Sequence, residues 1–561
     1  MEALFDIGAA PPCPAPFNLA EHVLAGGAGH GEKPALEIIG APRRVAMTHG
    51  ALARAVRATA SGLRAAGLAP GQRLLMRLGN SVRFPLTFLG AIHAGIVPVP
   101  TSPMLTRAEI DRVAETLGAD ALAFEPGIVL PTRPPALRID AAALDRFRHL
   151  PAAPPQMGDP DRPAYVIFTS GTSGRARGVV HAHRAIWARR MMRDDWYGLG
   201  RNDRLLHAGA FNWSYTLGTG LLDPWACGAT ALIPAPGLES GEIFALLKRH
   251  RATILAATPG VLRQMLHGTV GRAPHLRHAL SAGEKLPESI RDAWRSRTGT
   301  DIHEAFGMSE CSTFISASPA RPAPPGTVGY PQTGRRVAIL SDEHPCDGAP
   351  IEARIAARGQ PGVIAIDRGD PGLMLGYLED GGRRISMPES CIAGNWFVTA
   401  DRGSMDESGA ITCLGRRDDV ITAGGYRVSP LEIEAALLAH PAISECAAFE
   451  YRVRPDTTII ALAYCAARQI DSAALARHAA ARLARYKQPR LFRRLDALPR
   501  SAIGKVMRRA LPEIIRAQGP ERGHADGPAD SPADGQGDAP GQAPGQGDAP
   551  GQAPGPGPEG R

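Results

Sequence analysis

From about residue 50 to residue 414 the sequence alternates helix-like stretches with short apolar runs bounded by turn residues, the pattern of layered α/β structure. The Ala/Arg-rich residues 50–66 and the apolar residues 84–94 read as helices, and residues 73–78 as a strand between them. Residues 164–169, 230–233 and 253–256 are short apolar runs of the kind that form buried strands.

With 561 residues the chain exceeds what one hydrophobic core serves, so more than one domain is expected. A large N-terminal domain is predicted over residues 1–414. A smaller α+β domain follows over 415–518, after the strand-like residues 411–415, with helices at 430–439 and 473–484 and strands around Ala447 and Ile460. Beyond it, GQGDAPGQAP occurs twice in succession, and residues 519–561 read as a disordered Gly/Pro/Ala/Gln-rich tail that cannot bury enough apolar surface to order itself.

That tail carries seven acidic and two basic side chains, so the formal charge of +8 rises to +13 over residues 1–518. A basic field suits nucleotides and other polyanions, although sign alone does not choose among them, and an Arg-rich composition accounts for it equally well. Eight cysteines stand at irregular spacing, without a CxxC pair or a Cys/His ligand pattern, as in reduced cytoplasmic proteins. No basic n-region and apolar core open the chain, and no run of about 18 apolar residues is free of charges and prolines. A cytoplasmic protein without a membrane span is expected.

The segment most informative about chemistry is Tyr165-Val-Ile-Phe-Thr-Ser-Gly-Thr-Ser-Gly-Arg-Ala-Arg-Gly178, an apolar run opening into a loop of Gly, Ser and Thr. Small residues let a ligand approach the backbone, and loop N–H groups with the hydroxyls of Thr169, Ser170, Thr172 and Ser173 can donate to a polyphosphate. No Gly-Lys-Ser/Thr follows at Walker spacing. Taken alone, such a stretch is more often an ordinary glycine-rich turn.

This loop resembles the phosphate-gripping signature of the adenylate-forming superfamily, in particular its acyl-CoA synthetases and benzoate-CoA-ligase-like members. Further segments resemble that family in the same order: Thr48-His-Gly-Ala-Leu52, Ser281-Ala-Gly-Glu-Lys285, Ala305-Phe-Gly-Met-Ser-Glu310, Trp396-Phe-Val-Thr-Ala-Asp401, Gly415-Arg-Arg-Asp-Asp-Val-Ile421, Gly424-Gly-Tyr-Arg427 and Pro499-Arg-Ser-Ala-Ile-Gly-Lys505. The resemblance implies the family's fold, a large layered α/β domain with a small mobile C-terminal α+β domain. It also implies an AMP-forming acid–CoA ligase that uses MgATP and coenzyme A. Loading of a carrier protein is the nearest alternative, disfavoured by the absence of a carrier domain after 518, and a noncatalytic nucleotide-binding homologue is an alternative of another class. Partners would be small molecules and not nucleic acid, and the chain a monomer or a homodimer.

Roles follow by the same resemblance. Thr169, Ser170, Gly171, Thr172, Ser173, Gly174, Arg177 and Gly178 would hold the ATP phosphates. Gly283, Glu284, Phe306 and Gly307 would border the nucleotide, with Phe306 stacked on adenine. Ser309 would donate to the α-phosphate, and Glu310 would hold Mg²⁺, a hard cation that takes carboxylate and phosphate oxygens. Asp401 would accept from both ribose hydroxyls, with Arg416 beside it. Asp418 would be the hinge, and Gly424, Gly425, Tyr426 and Arg427 would pass the pantetheine arm of CoA. Lys505 would bridge the substrate carboxylate and the α-phosphate. One departure is Ala176-Arg177-Gly178 where relatives carry Pro-Lys-Gly, which keeps the charge but changes the donor geometry. For the acid, residues 210–218 correspond to the acyl-pocket stretch of aryl-CoA ligases, and Phe211, Trp213 and Tyr215 suit an aromatic, alicyclic or short to medium-chain acid. Core packing accounts for the same aromatics. His183 matches a family histidine or serves a helix N-terminus.

Overall fold

Parallel strands that alternate with helices form the body of the chain. In the computed structural model the described residues are 1–519 without 9, 43–44, 171–175, 342–352, 417–420, 424–425, 455–456, 484 and 501–504. Two compact units are distinguished, Met1–Ile514 and Ile515–Arg561, the described part of the second being the end of the Leu511–Gln518 helix. The predicted tail from 520 onward lies outside the described residues.

Among the described residues the largest sheet has nine strands. Its six central strands, Pro34–Ile39, Thr230–Pro234, Arg204–His207, Ile254–Ala257, His278–Ala282 and Ile302–Met308, all run parallel. Antiparallel strands finish it, Val45–Thr48 at one edge and Ser312–Ser316 with Tyr330–Pro331 at the other. A four-stranded sheet of Val97–Pro100, Arg73–Arg77, Ala121–Phe124 and Leu137–Asp140 is parallel throughout. The Pro163–Ser170 and Ala176–Ala182 strands pair as a hairpin, and Gly376–Glu379 adds to its second strand.

Local chemistry accounts for the elements. The His49–Ala65 helix starts where Thr48 accepts from the Ala51 N–H, and it buries Leu52, Val56 and Leu63, one stripe at helical spacing. Thr106 and Glu109 form a capping box on the Arg107–Leu117 helix, which Gly118 ends at φ 56°. Parallel strands covered on both faces become continuous apolar runs: Leu206, Leu255 and Ala279 pack into one cluster, and Leu205, Ala256 and Leu280 into another. Each such leucine, fully buried, contributes about 1.5–3 kcal/mol. Two ion pairs lie inside this body. Arg189 donates to Asp223 at 2.6 Å, and Arg335 pairs with Asp370, both nearly without exposure. Removing one partner of such a pair costs about 3–5 kcal/mol.

After the Ile411–Arg416 strand come a short hairpin, Ile421–Ala423 with Tyr426–Val428, and the three-stranded sheet of Glu445–Arg454, Thr457–Cys465 and Leu491–Arg494. The helices Pro430–Leu438 and Ser472–Ala480 bury Ile433, Leu437, Leu475 and Ala479 in its cluster. The second helix stops at Ala480, short of the 484 expected. The chain leaves in turns that bury Leu483, whose carbonyl accepts from Gln488 Nε2 at 2.9 Å.

Candidate active site

Segments far apart in sequence meet at the carboxyl ends of the parallel strands, where open α/β sheets bind ligands. The Ile302–Met308 strand carries a bulge between Phe306 and Gly307, after which the chain turns back into Ser312–Ser316. A methyl group on Gly307 would overlap the backbone at Ser312 and Thr313, so the tight reversal requires glycine here. The bulge re-aims the end of the strand, and Ser309 and Glu310 occupy the turn beyond it.

Three contacts fix that turn. Tyr377 donates its phenol O–H to Glu310 Oε1 at 2.7 Å, and the Met374 N–H donates to the Glu310 carbonyl at 2.8 Å. A ring nitrogen of buried His181 lies 2.8 Å from the Ser309 carbonyl. Burial and the Glu310 carboxylate push the Tyr377 phenol well above its ordinary pKa, so it remains a donor. Arg177 lies over the same Tyr377 ring, 5.3 Å from its centroid. Arg177, expected to hold phosphate, and Glu310, expected to hold Mg²⁺, therefore flank one tyrosine. With one oxygen engaged by Tyr377, Glu310 keeps acceptor capacity for a hard cation whose remaining ligands are phosphate oxygens and water. Among the described residues no group of three or more His, Cys, Asp or Glu side chains forms a protein-only cage.

Within the hairpin, Thr169 pairs in register with Arg177, and Val166 and Ile167 are buried, so the apolar run anchors the loop. Gly171, Thr172, Ser173 and Gly174 lie outside the described residues, as does the Ser170 side chain. Gly178 is buried between Phe168, Leu378 and Val166, where an added methyl would come within 3.2 Å of all three.

The loop at 283–287 follows the adjacent strand, His278–Ala282. Gly283 adopts φ +99°, a left-handed conformation, and faces the Trp213 ring. Glu304, buried on the neighbouring strand, accepts from the Leu286 N–H at 2.8 Å and from Arg291 at 3.0 Å. Burial raises its carboxyl to about 7.

Phe306 is half-buried and meets Phe314 edge to face at 5.5 Å. Asp401 stands opposite Arg416 in the register of the strands Trp396–Met405 and Ile411–Arg416. The Arg416 side chain lies outside the described residues, as do Asp418, Gly424 and Gly425 and the side chains of Tyr426 and Arg427, whose backbone forms the second strand of the short hairpin.

Lys505 is exposed. Its segment is held at both ends, by the bridge between Arg500 and Val506 and by the Met507 N–H donating to the Pro499 carbonyl at 2.8 Å. Arg500 then reaches Glu445 at 2.9 Å and Glu284 at 3.7 Å, while Arg263 pairs with the same Glu445. The lysine segment is thus tied to the loop that follows His278–Ala282.

The three aromatics assigned to the acyl pocket divide. Trp213 and Tyr215 meet edge to face at 5.2 Å, in the cluster formed by Leu280, Ala282 and Ala305. Phe211 packs instead on Phe84 at 5.3 Å, in the core beneath the His49–Ala65 helix. His183 is buried and accepts the Leu19 N–H at 3.0 Å, the helix-terminal role. Sequence reasoning assigned no role to Tyr377, His181 or Arg500. Arg500 stood inside a quoted motif, whereas Tyr377 and His181 gave no local signal.

The family model described as AMP-binding enzyme matches residues 25–378, and that of the AMP-binding enzyme C-terminal domain matches residues 432–505. A benzoate–CoA ligase of Thauera aromatica is 29% identical over 492 residues, covering 82% of this chain and 89% of that ligase. A 3-hydroxybenzoate–CoA ligase of Aromatoleum is 28% identical over 525 residues, covering 87% and 95%. Among solved structures, an anthranilate CoA ligase in complex with anthranoyl-AMP superposes with a TM-score of 0.78 at 22% identity, over 90% of this chain and 99% of that one. A benzoate CoA ligase from Burkholderia xenovorans gives 0.76 at 24%, over 88% and 100%. The matched lengths and the shared architecture agree, and the chain belongs to the AMP-binding enzyme family.

Proposed function

We propose that this protein is an AMP-forming acid–CoA ligase acting on an aromatic acid of the benzoate type. The observation that carries the reading is the convergence on Tyr377, whose hydroxyl donates to Glu310 and whose ring lies under Arg177. A carboxylate poised for a metal beside a phosphate-loop arginine is what cleavage between α- and β-phosphates asks of a site.

In the first step a carboxylate oxygen of the acid attacks the α-phosphorus of ATP and pyrophosphate leaves. Lys505 stands between the two anions, offsetting their repulsion as charge shifts in the transition state. Thr169 and Ser170, with Gly171 to Gly174, Arg177 and Gly178, hold the leaving phosphates, and Ser309 donates to the α-phosphate. Phe306 covers adenine beside Gly283, Glu284 and Gly307, and Asp401 with Arg416 orients the ribose. When bound at Glu310, Mg²⁺ neutralises phosphate charge. In the second step the CoA thiolate attacks the acyl carbonyl and AMP departs, the pantetheine arm passing Gly424 to Arg427. We place the domain boundary near residue 414 and the rotation between steps at Asp418, so that one cleft serves both reactions. Cytoplasmic supplies of ATP and CoA suit this chemistry, and among the described residues no helix is long and apolar enough to cross a membrane.

The two ligases of Thauera aromatica and Aromatoleum are named for benzoate and 3-hydroxybenzoate, and the aromatic pair Trp213 and Tyr215 suits a flat ring. AMP release from ATP, with and without CoA, across a panel of carboxylic acids tests the reading. Aryl acids should give CoA-dependent turnover. Release only with an acyl-carrier protein would assign the other acceptor, and no release with any acid would refute the ligase.

A further inference from the structure

We propose that His207 and Thr216 recognise a neutral hydrogen-bonding substituent, a hydroxyl or an amino group, on the ring of the acid. The inference rests on the ligase reading above and narrows its substrate to hydroxy- or amino-substituted aryl acids.

His207 ends the Arg204–His207 strand and is 1% exposed, yet neither ring nitrogen has a partner among the described residues. Thr216 begins the π-helical turn Thr216–Leu222, is fully buried, and its Oγ1 is likewise unpartnered. Buried polar atoms are nearly always paired, because leaving one without a partner forfeits its hydration uncompensated. Three such atoms in one place mark a site whose partner comes from outside the chain. π-turns of this kind are frequent at functional sites.

Both side chains pack against Gly209. A methyl group on Gly209 would overlap Thr216 Oγ1 and come within 3.1–3.2 Å of His207 Cε1 and Nδ1, and one on Gly220 would stand 2.8 Å from His207 Cβ. Glycine at both positions thus lets the two side chains lie against the backbone. They adjoin the aromatic wall already assigned to the acid. The Tyr215 ring meets His207 edge to face at 4.4 Å and Trp213 at 5.2 Å, and Trp213 continues to Gly283. Strand alternation puts His207 on the same sheet face as Leu205, in the cluster with Ala256, Leu280 and Tyr215.

The chemistry selects the ligand. Burial lowers His207 to about 3, so its ring is neutral, one nitrogen a donor and the other an acceptor. Thr216 Oγ1 both donates and accepts. That set complements a hydroxyl or an amino group. A second carboxylate would need a cation, and Arg189, which reaches Thr219 in the same turn at 3.4 Å, is already paired with Asp223 at 2.6 Å. An aryl ring lacking the substituent would enter but leave the pair unpaired, which sites built for a hydrogen bond penalise strongly.

The test compares kcat/KM for 3-hydroxybenzoate, 4-hydroxybenzoate and 2-aminobenzoate with that for benzoate, by AMP release with CoA, in the full-length protein and in His207→Phe and Thr216→Val. The wild type should prefer at least one substituted acid. The preference ratio should fall by about tenfold or more in either variant. Thr216→Val conserves volume and serves should His207→Phe not fold. A wild type without preference, or a ratio unchanged in folded Thr216→Val, overturns the proposal while leaving the ligase reading intact. Absence of turnover with every acid overturns both.

Discussion

Arg500 sets its guanidinium 3.7 Å from the carboxylate of Glu284 and 2.9 Å from that of Glu445, so the segment carrying Lys505 is tied to the loop after a central strand of the largest sheet. The pair is partly exposed, 28% and 27%, and such pairs contribute at most about 1 kcal/mol. Arg500→Met should therefore slow acid-dependent pyrophosphate exchange by roughly fivefold. Conversion of supplied acyl adenylate to thioester should change by less than about twofold. Equal loss in both half-reactions would show that the tie does not act on adenylation.

Tyr377→Phe removes the donor to Glu310 and keeps the ring beneath Arg177. A hydrogen bond to a charged group contributes about 1.5–3 kcal/mol, and solvent will replace part of it. We expect kcat for adenylation to fall by about tenfold and the Mg²⁺ concentration for half-maximal rate to rise. A steady-state titration with Mg²⁺ at saturating ATP measures both. An unchanged Mg²⁺ dependence would separate Tyr377 from the metal carboxylate.

Glu304 gives a pH prediction with a definite sign. Its carboxyl is raised from 4.5 to about 7 by burial, so the folded state holds a proton that the unfolded chain releases. This contribution is fully present below pH 4.5 and is lost as pH rises through about 7. Its full size is about 3 kcal/mol. Glu304→Gln should flatten the decline in stability between pH 5 and 8, read by urea unfolding at each pH. A slope identical to that of the parent protein would place the titration elsewhere.

Much of the fold was legible because burial writes itself locally. Thr230–Pro234 and Ile254–Ala257 are apolar runs with turn residues at their ends, and the Ala/Arg-rich residues 50–66 announce the helix His49–Ala65. The loop motifs around Thr169, Glu310 and Asp401 stood out through their resemblance to the adenylate-forming family, and not through any local physical signal. Tyr377 was not legible, because its partner Glu310 is 67 residues away and only the pairing of Gly376–Glu379 with Ala176–Ala182 brings it there. Phe211 looked equivalent to Trp213 in sequence, but the side chains enter different clusters because the Asn80 side chain accepts the Phe211 N–H at 2.9 Å. The π-turn Thr216–Leu222 sets Gly220 against His207, a long-range contact that no local propensity encodes.

Lys505 offers the most direct test of the account. Exchange of labelled pyrophosphate into ATP should depend on an aryl acid in the full-length protein and should fall by about 100-fold or more in Lys505→Ala, with thioester formation from supplied acyl adenylate retained. Exchange that proceeds without acid, or a Lys505→Ala protein that exchanges as fast as its parent, would contradict the assignment of this chain as an acid-activating ligase driven by that lysine.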